Sequence, residues 1–132
     1  MAEHKVLSVG QCGIDHPAIR RLLQLEFDAN VVPADSAEDA FAELRRGEYD
    51  LVLVNRVFDL GGSGLDFIAE LKTDQSLNRV PAMLVSDLPE AQRKAVELGA
   101  MPGFGKAALH RPETVERIAA ALAGGADTSK TA

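Results

Sequence analysis

Short apolar runs recur along the chain, and between them the hydrophobic period changes to that of a helix face. The runs Lys5–Val9, Ala29–Val32, Asp50–Val54, Val80–Val85 and Met101–Phe104 predict strands. Ala37, Ala40, Phe41 and Leu44 follow the i, i+3, i+4, i+7 rule, as do Val115, Ile118, Ala119 and Leu122. Ile19, Leu22 and Leu23 make a shorter version, Leu65, Ile68 and Ala69 another, and Ala91, Ala95 and Leu98 a weaker one. Start signals agree with these helices. Ser36 and Ser63 each precede a helix and carry an aspartate three residues on, close to a capping box. Pro17, Pro89 and Pro112 fall in first turns, where a missing N–H costs little, and Gly47 and Gly99 stand where left-handed caps are common.

Strands alternating with helices imply parallel pairing through right-handed crossovers. Strands three and four read as nearly continuous apolar runs, as expected when both sheet faces are covered. The expectation is a doubly wound, five-stranded α/β domain over residues 1–123. The small polar stretch 124–132, GGADTSKTA, reads as a disordered tail.

Composition narrows the function classes. The 132 residues are enough for one core, and 46% apolar with 26% charged is ordinary for a globular chain. A net charge of −6 argues against direct binding to a phosphate backbone. Cys12 is the single cysteine, so no intramolecular disulfide forms and a reducing, cytoplasmic setting is expected. Nothing approaches the roughly 20 apolar residues of a membrane span, and no membrane partner is expected.

In such a sheet, chemistry belongs beyond the carboxyl ends of the strands, at the switch point between the first and third. The residues there are Gly10–Asp15, Asn55–Gly64, Ser86–Asp87 and Gly105–Lys106. The segments YDLVLVN, GLDFIAEL, VPAMLVS and ELGAMPGFGK, at these spacings, resemble a response-regulator receiver domain over roughly residues 5–123. The resemblance implies a flavodoxin-like strand order 2-1-3-4-5. It also places Asn55 where the family carries its phosphate-accepting aspartate, Ser86 at the Ser/Thr position and Lys106 at the lysine position.

The departures gather in the site. Gly10 and Gln11 stand where family members carry an acidic pair, and the loop before Asp15 is longer. Gly103 replaces the switch aromatic, Asp87 a small residue and Ala107 a proline, while Asp59 and Gly61-Gly62 sit in a lengthened loop. An amide is no nucleophile, and the transfer needs a divalent ion that prefers carboxylate oxygens. The resemblance thus implies a degenerate pseudo-receiver: a phosphorylation-incompetent signalling module, not an enzyme, with no cofactor and no metal. It would act through a protein partner or self-association at the face of helix four, strand five and helix five, near residues 88–122. The alternatives are phosphorylation on another carboxylate, Asp15 or Asp59, or a flavodoxin-like protein or small enzyme using the crevice for a ligand.

Lys106 needs a partner in such a crevice, and Asp87, Asp59 or the Asn55 carbonyl is expected to supply it. Restoring acids at positions 10, 11 and 55 together is expected to recover more chemistry than Asn55→Asp alone. Cys12 reads as a small apolar filler. His4, His16 and His110 lack metal-ligand spacing, and GGSG at 61–64 lacks the Lys-Ser/Thr of a phosphate loop.

Overall fold

Leu51, Val52, Leu53 and Val54 are all fully buried, so the strand they form must lie inside a sheet covered on both faces. The computed structural model describes residues 4–58 and 61–131, with side chains as far as residue 123. Its elements are β1 (His4–Val9), α1 (Asp15–Phe27), β2 (Ala29–Ala34), α2 (Ala37–Arg46), β3 (Leu51–Asn55) and α3 (Gly64–Thr73). They continue with β4 (Ala82–Val85), α4 (Pro89–Glu97), β5 (Met101–Phe104), a 3₁₀ turn at Lys106–Ala108 and α5 (Pro112–Thr131). The sheet order is β2-β1-β3-β4-β5, with every pairing parallel.

Alternation along the strands builds two cores. Leu7, Val9, Val52, Val54 and Leu84 face α2, α3 and α4 through Leu44, Phe67, Ile68 and Ala95. Val6, Leu51, Leu53, Met83 and Val85 face α1 and α5 through Ile19, Leu23, Ile118 and Leu122. β2 runs on through Pro33, which a central strand would not tolerate but this edge strand does.

The capping expectations hold at both serines: Ser36 Oγ accepts from Asp39 N–H at 3.1 Å and Ser63 Oγ from Asp66 N–H at 3.3 Å. Gly99 has φ +114°, but Gly47 is extended at φ −140° and makes no left-handed cap. The left-handed cap that composition misses is Asp28, at φ 50° after α1. The α5 backbone runs as far as Thr131, into the segment 124–132.

Gly64 brings α3 directly against the end of β3. Its N–H donates to the Arg56 carbonyl at 2.8 Å, and a Cβ there would collide with the Asn55 carbonyl. Gly64→Ala is therefore expected to lower the unfolding free energy by about 1–3 kcal/mol in urea titrations, through forced displacement of backbone rather than lost contacts. A neutral effect would mean that α3 is not seated on β3.

Candidate functional site

The strand ends form an open crevice of about 300 Å³, lined by Asn55, Arg56, Val57, Val85, Ser86, Asp87, Leu88 and Lys106. At its floor Asn55 is only 8% exposed. Its amide nitrogen donates to the Gly10 carbonyl at 3.0 Å and to the Val57 carbonyl at 2.7 Å. Two acceptors on one atom require that atom to be a donor, so the site demands an amide nitrogen there.

Lys106 does not pair with Asp87 or with the Asn55 carbonyl. Its Nζ lies 2.5 Å from Asp15 Oδ2, and this contact, with help from the Cys12 thiol and against some burial, holds the Asp15 carboxyl below its ordinary range. Cys12 Sγ donates to the same oxygen at 3.2 Å and accepts from Asp15 N–H at 3.4 Å, so the thiol caps the start of α1. Asp87 instead accepts from Ala107 N–H at 3.2 Å, tying the loop after β4 to the turn after β5. Gly105 makes this possible, since a Cβ there would fall on the Asp87 carboxylate. Ser86 Oγ lines the crevice and accepts from Leu88 N–H at 3.1 Å, an ordinary turn contact before α4. Asp59 lies outside the described residues.

Phe58 is the residue that sequence reasoning missed. Its ring is buried, meets Phe67 edge-on at 6.4 Å and sits against Gly10 and Gly62. A Cβ at Gly10 would collide with one edge of the ring, and φ +74° already disfavours any other residue. This bears on the expectation that acids at 10, 11 and 55 would together recover more chemistry than Asn55→Asp alone, because the aromatic ring stands where the Cβ of an acid at 10 would lie. A possible signal was the aromatic followed by paired glycines, Phe58 and Gly61-Gly62.

Comparison with known proteins now has a geometry to meet. No family model matches the chain, and no curated protein does. Solved structures do. A protein from Chloroflexus aurantiacus assigned as a response regulator superposes with a TM-score of 0.80 at 19% identity, over 91% of this chain and 98% of that one. The signal receiver domain of a DNA-binding response regulator from Colwellia psychrerythraea gives 0.75 at 20% identity, over 89% and 96%. An orphan response regulator of H. pylori gives 0.71 at 25% identity, over 92% and 98%. The fold is that of a response-regulator receiver domain.

Against the receiver pattern, the described residues do not fit a divalent ion. Asn55 turns an N–H donor toward the two carbonyls, Gly10 can carry no side chain, and the Asp15 carboxylate is held by Lys106. Among the described residues no three His, Cys, Asp or Glu side chains converge as a metal site. The switch position is also rebuilt. A Cβ at Gly103 would strike the Leu84 carbonyl, and the β4–β5 register shifts between Met83 and Val85. Gln92 of α4 fills the irregularity: Nε2 donates to the Leu84 and Ser86 carbonyls at 2.8 and 3.0 Å, and Oε1 accepts from Gly103 N–H at 3.1 Å. Arg117 of α5 donates to the Gly103 carbonyl at 2.6 Å.

Two outcomes test this geometry. In Asn55→Asp the new carboxylate meets two carbonyl oxygens, which raises its pKa above the usual carboxylate range. A raised acid destabilises when charged, so the variant should lose about 1–3 kcal/mol at pH 7.5 and recover part of it as pH falls toward 4. A deficit that does not change with pH in urea unfolding would exclude the carbonyl clash. In Lys106→Met the Asp15 carboxyl should titrate nearer its ordinary value of about 3.9, followed by carboxyl ¹³C NMR. The pair's contribution, about 0.2–1 kcal/mol for a part-exposed ion pair, is complete above that value and disappears as pH falls through the depressed one.

Proposed function

We propose that this chain is a pseudo-receiver, a signalling module that takes no phosphate and works through protein contacts. The observation that carries the reading is Asn55, whose amide hydrogens satisfy the carbonyls of Gly10 and Val57. Phosphoryl transfer needs a carboxylate nucleophile and a cation over the incoming oxygens. The amide removes the nucleophile and turns N–H donors to both carbonyls. Of the described carboxylates there, Asp15 is engaged by Lys106 and Cys12, and Asp87 accepts from Ala107 N–H. The chain is no enzyme in this reading, and its partner is a protein rather than a nucleic acid or a membrane. Among the described residues, no helix is long and apolar enough to cross a membrane.

The contact face is α4, β5 and α5. Val96 is exposed there, beside a shallow, mostly apolar hollow that includes Pro102, Gly103 and Arg117. Bonds from Gln92 and Arg117 to Gly103 hold its three elements together, which supports a face of constant shape.

Incubation with acetyl phosphate and Mg²⁺, followed by intact-protein mass spectrometry, is expected to show no phosphate gain in either the natural sequence or Asn55→Asp. Recovery of the nucleophile leaves the donor's charge uncompensated, a deficit of several kcal/mol in such transfers. A mass gain mapping to Asp15 would replace this reading with phosphorylation on a different carboxylate. Rapid labelling of Asn55→Asp would show that a cation finds ligands in the crevice.

A further inference from the structure

A second cavity lies on the β1–β2 side of the crevice, between the Gly10–Gly13 loop, the first turn of α1 and the end of β2. At about 320 Å³ its size does not distinguish it from the crevice at about 300 Å³. Gln11 does. This residue lines the cavity, is 8% exposed, and among the described residues has no hydrogen-bond partner at either its amide oxygen or its amide nitrogen. His16 lines the same cavity with Nδ1 buried and likewise unpartnered. An unpaired buried polar group is costly, and such groups in folded proteins are normally completed by a partner. Both amide atoms of Gln11 are covered by protein. A rotation of the side chain that turns them to the cavity relieves that unpaired burial.

The walls define what fits. Asp35 places a carboxylate at the rim, and among the described residues no Lys or Arg lines the cavity, so a phosphate is disfavoured. Burial and the nearby Arg20 hold His16 below its ordinary range, with Asp35 opposing, so the imidazole is neutral at pH 7. Pro17 and Pro33 supply apolar wall for a ring. A glutamine amide carries a donor and an acceptor in one plane, the complement of the N6/N7 edge of adenine. A glycine-bearing loop after one strand, a helix start, and an acid at the end of the neighbouring strand are also the parts with which βαβ units receive a ribose.

We infer that this cavity binds an uncharged adenine-type ligand, as free base or nucleoside, with Gln11 reading the base edge and Asp35 accepting from ribose hydroxyls. This is independent of whether the crevice takes phosphate. The test is ¹H–¹⁵N NMR titration of the whole chain with adenine, adenosine, uridine and AMP. Saturable shifts of the Gln11 side-chain amide and of Cys12 and Gly13 are expected with adenine and adenosine, and weaker ones with AMP. Gln11→Leu should weaken both by about tenfold or more. Asp35→Asn, at an exposed position that leaves the core untouched, should weaken adenosine alone. Loss confined to Gln11→Leu identifies the base as the whole ligand. No saturable shift with adenine or adenosine up to solubility, equal affinity for uridine, or unchanged adenosine affinity in both variants overturns the assignment.

Discussion

Two main-chain carbonyls, those of Gly10 and Val57, converge on one side-chain nitrogen, and the crevice is arranged around that demand. A carboxylate at this point would need a cation between itself and the carbonyls, whereas an amide supplies the hydrogens from within the chain. The consequences propagate outward. With no charge on residue 55, Lys106 has no anionic partner on β3 and closes instead on Asp15. Asp15 is thereby occupied, and the Cys12 thiol binds the same oxygen. One neutral side chain accounts for the pairing of three others.

The departures from the receiver pattern are consequently coupled rather than a set of independent losses. Phe58 needs glycine at 10 and close approach at 62, and it rests on Phe67 within the core beneath α2 and α3. Burying an aromatic there stabilises the loop by roughly 1.5–3 kcal/mol, on the usual scale for a large apolar side chain. An acid at position 10 would forfeit that burial as well as strain the backbone. The loop is packed around an apolar ring, and a substitution at position 55 leaves that packing in place.

The fold was legible because it rests on periodicity: alternating apolar runs and helical stripes define the strands, and strand ends then place Asn55, Ser86 and Lys106. The crevice residues were legible by position but not by pairing. Which carboxylate meets Lys106 depends on how the loop before α1 folds, and Asp15, seated at the helix start, reaches it while Asp87 turns to Ala107 N–H. Gln92 was invisible for a different reason. In sequence it is one polar residue within a polar helix, and only the irregular β4–β5 pairing makes its amide necessary. Gln11 was read as a missing acid, when its burial without partners is a tertiary property that no spacing encodes.

The face made by α4, β5 and α5 follows from the same logic of satisfied polar groups. The N–H and the carbonyl of buried Gly103 are bonded by side chains from the two flanking helices, Gln92 and Arg117. Shifting either helix would strand a buried backbone group at a cost of about 1–3 kcal/mol. A conformational equilibrium moves only as far as a ligand's differential affinity for its two states allows. Where the crevice accepts no phosphoryl group, nothing there offsets the broken bonds. The aromatic that would transmit such an event is also absent, its place taken by a glycine whose neighbour's carbonyl leaves no room for a side chain. A partner docking on this face would therefore meet one shape, and its response would follow the amount of the protein rather than its state of modification.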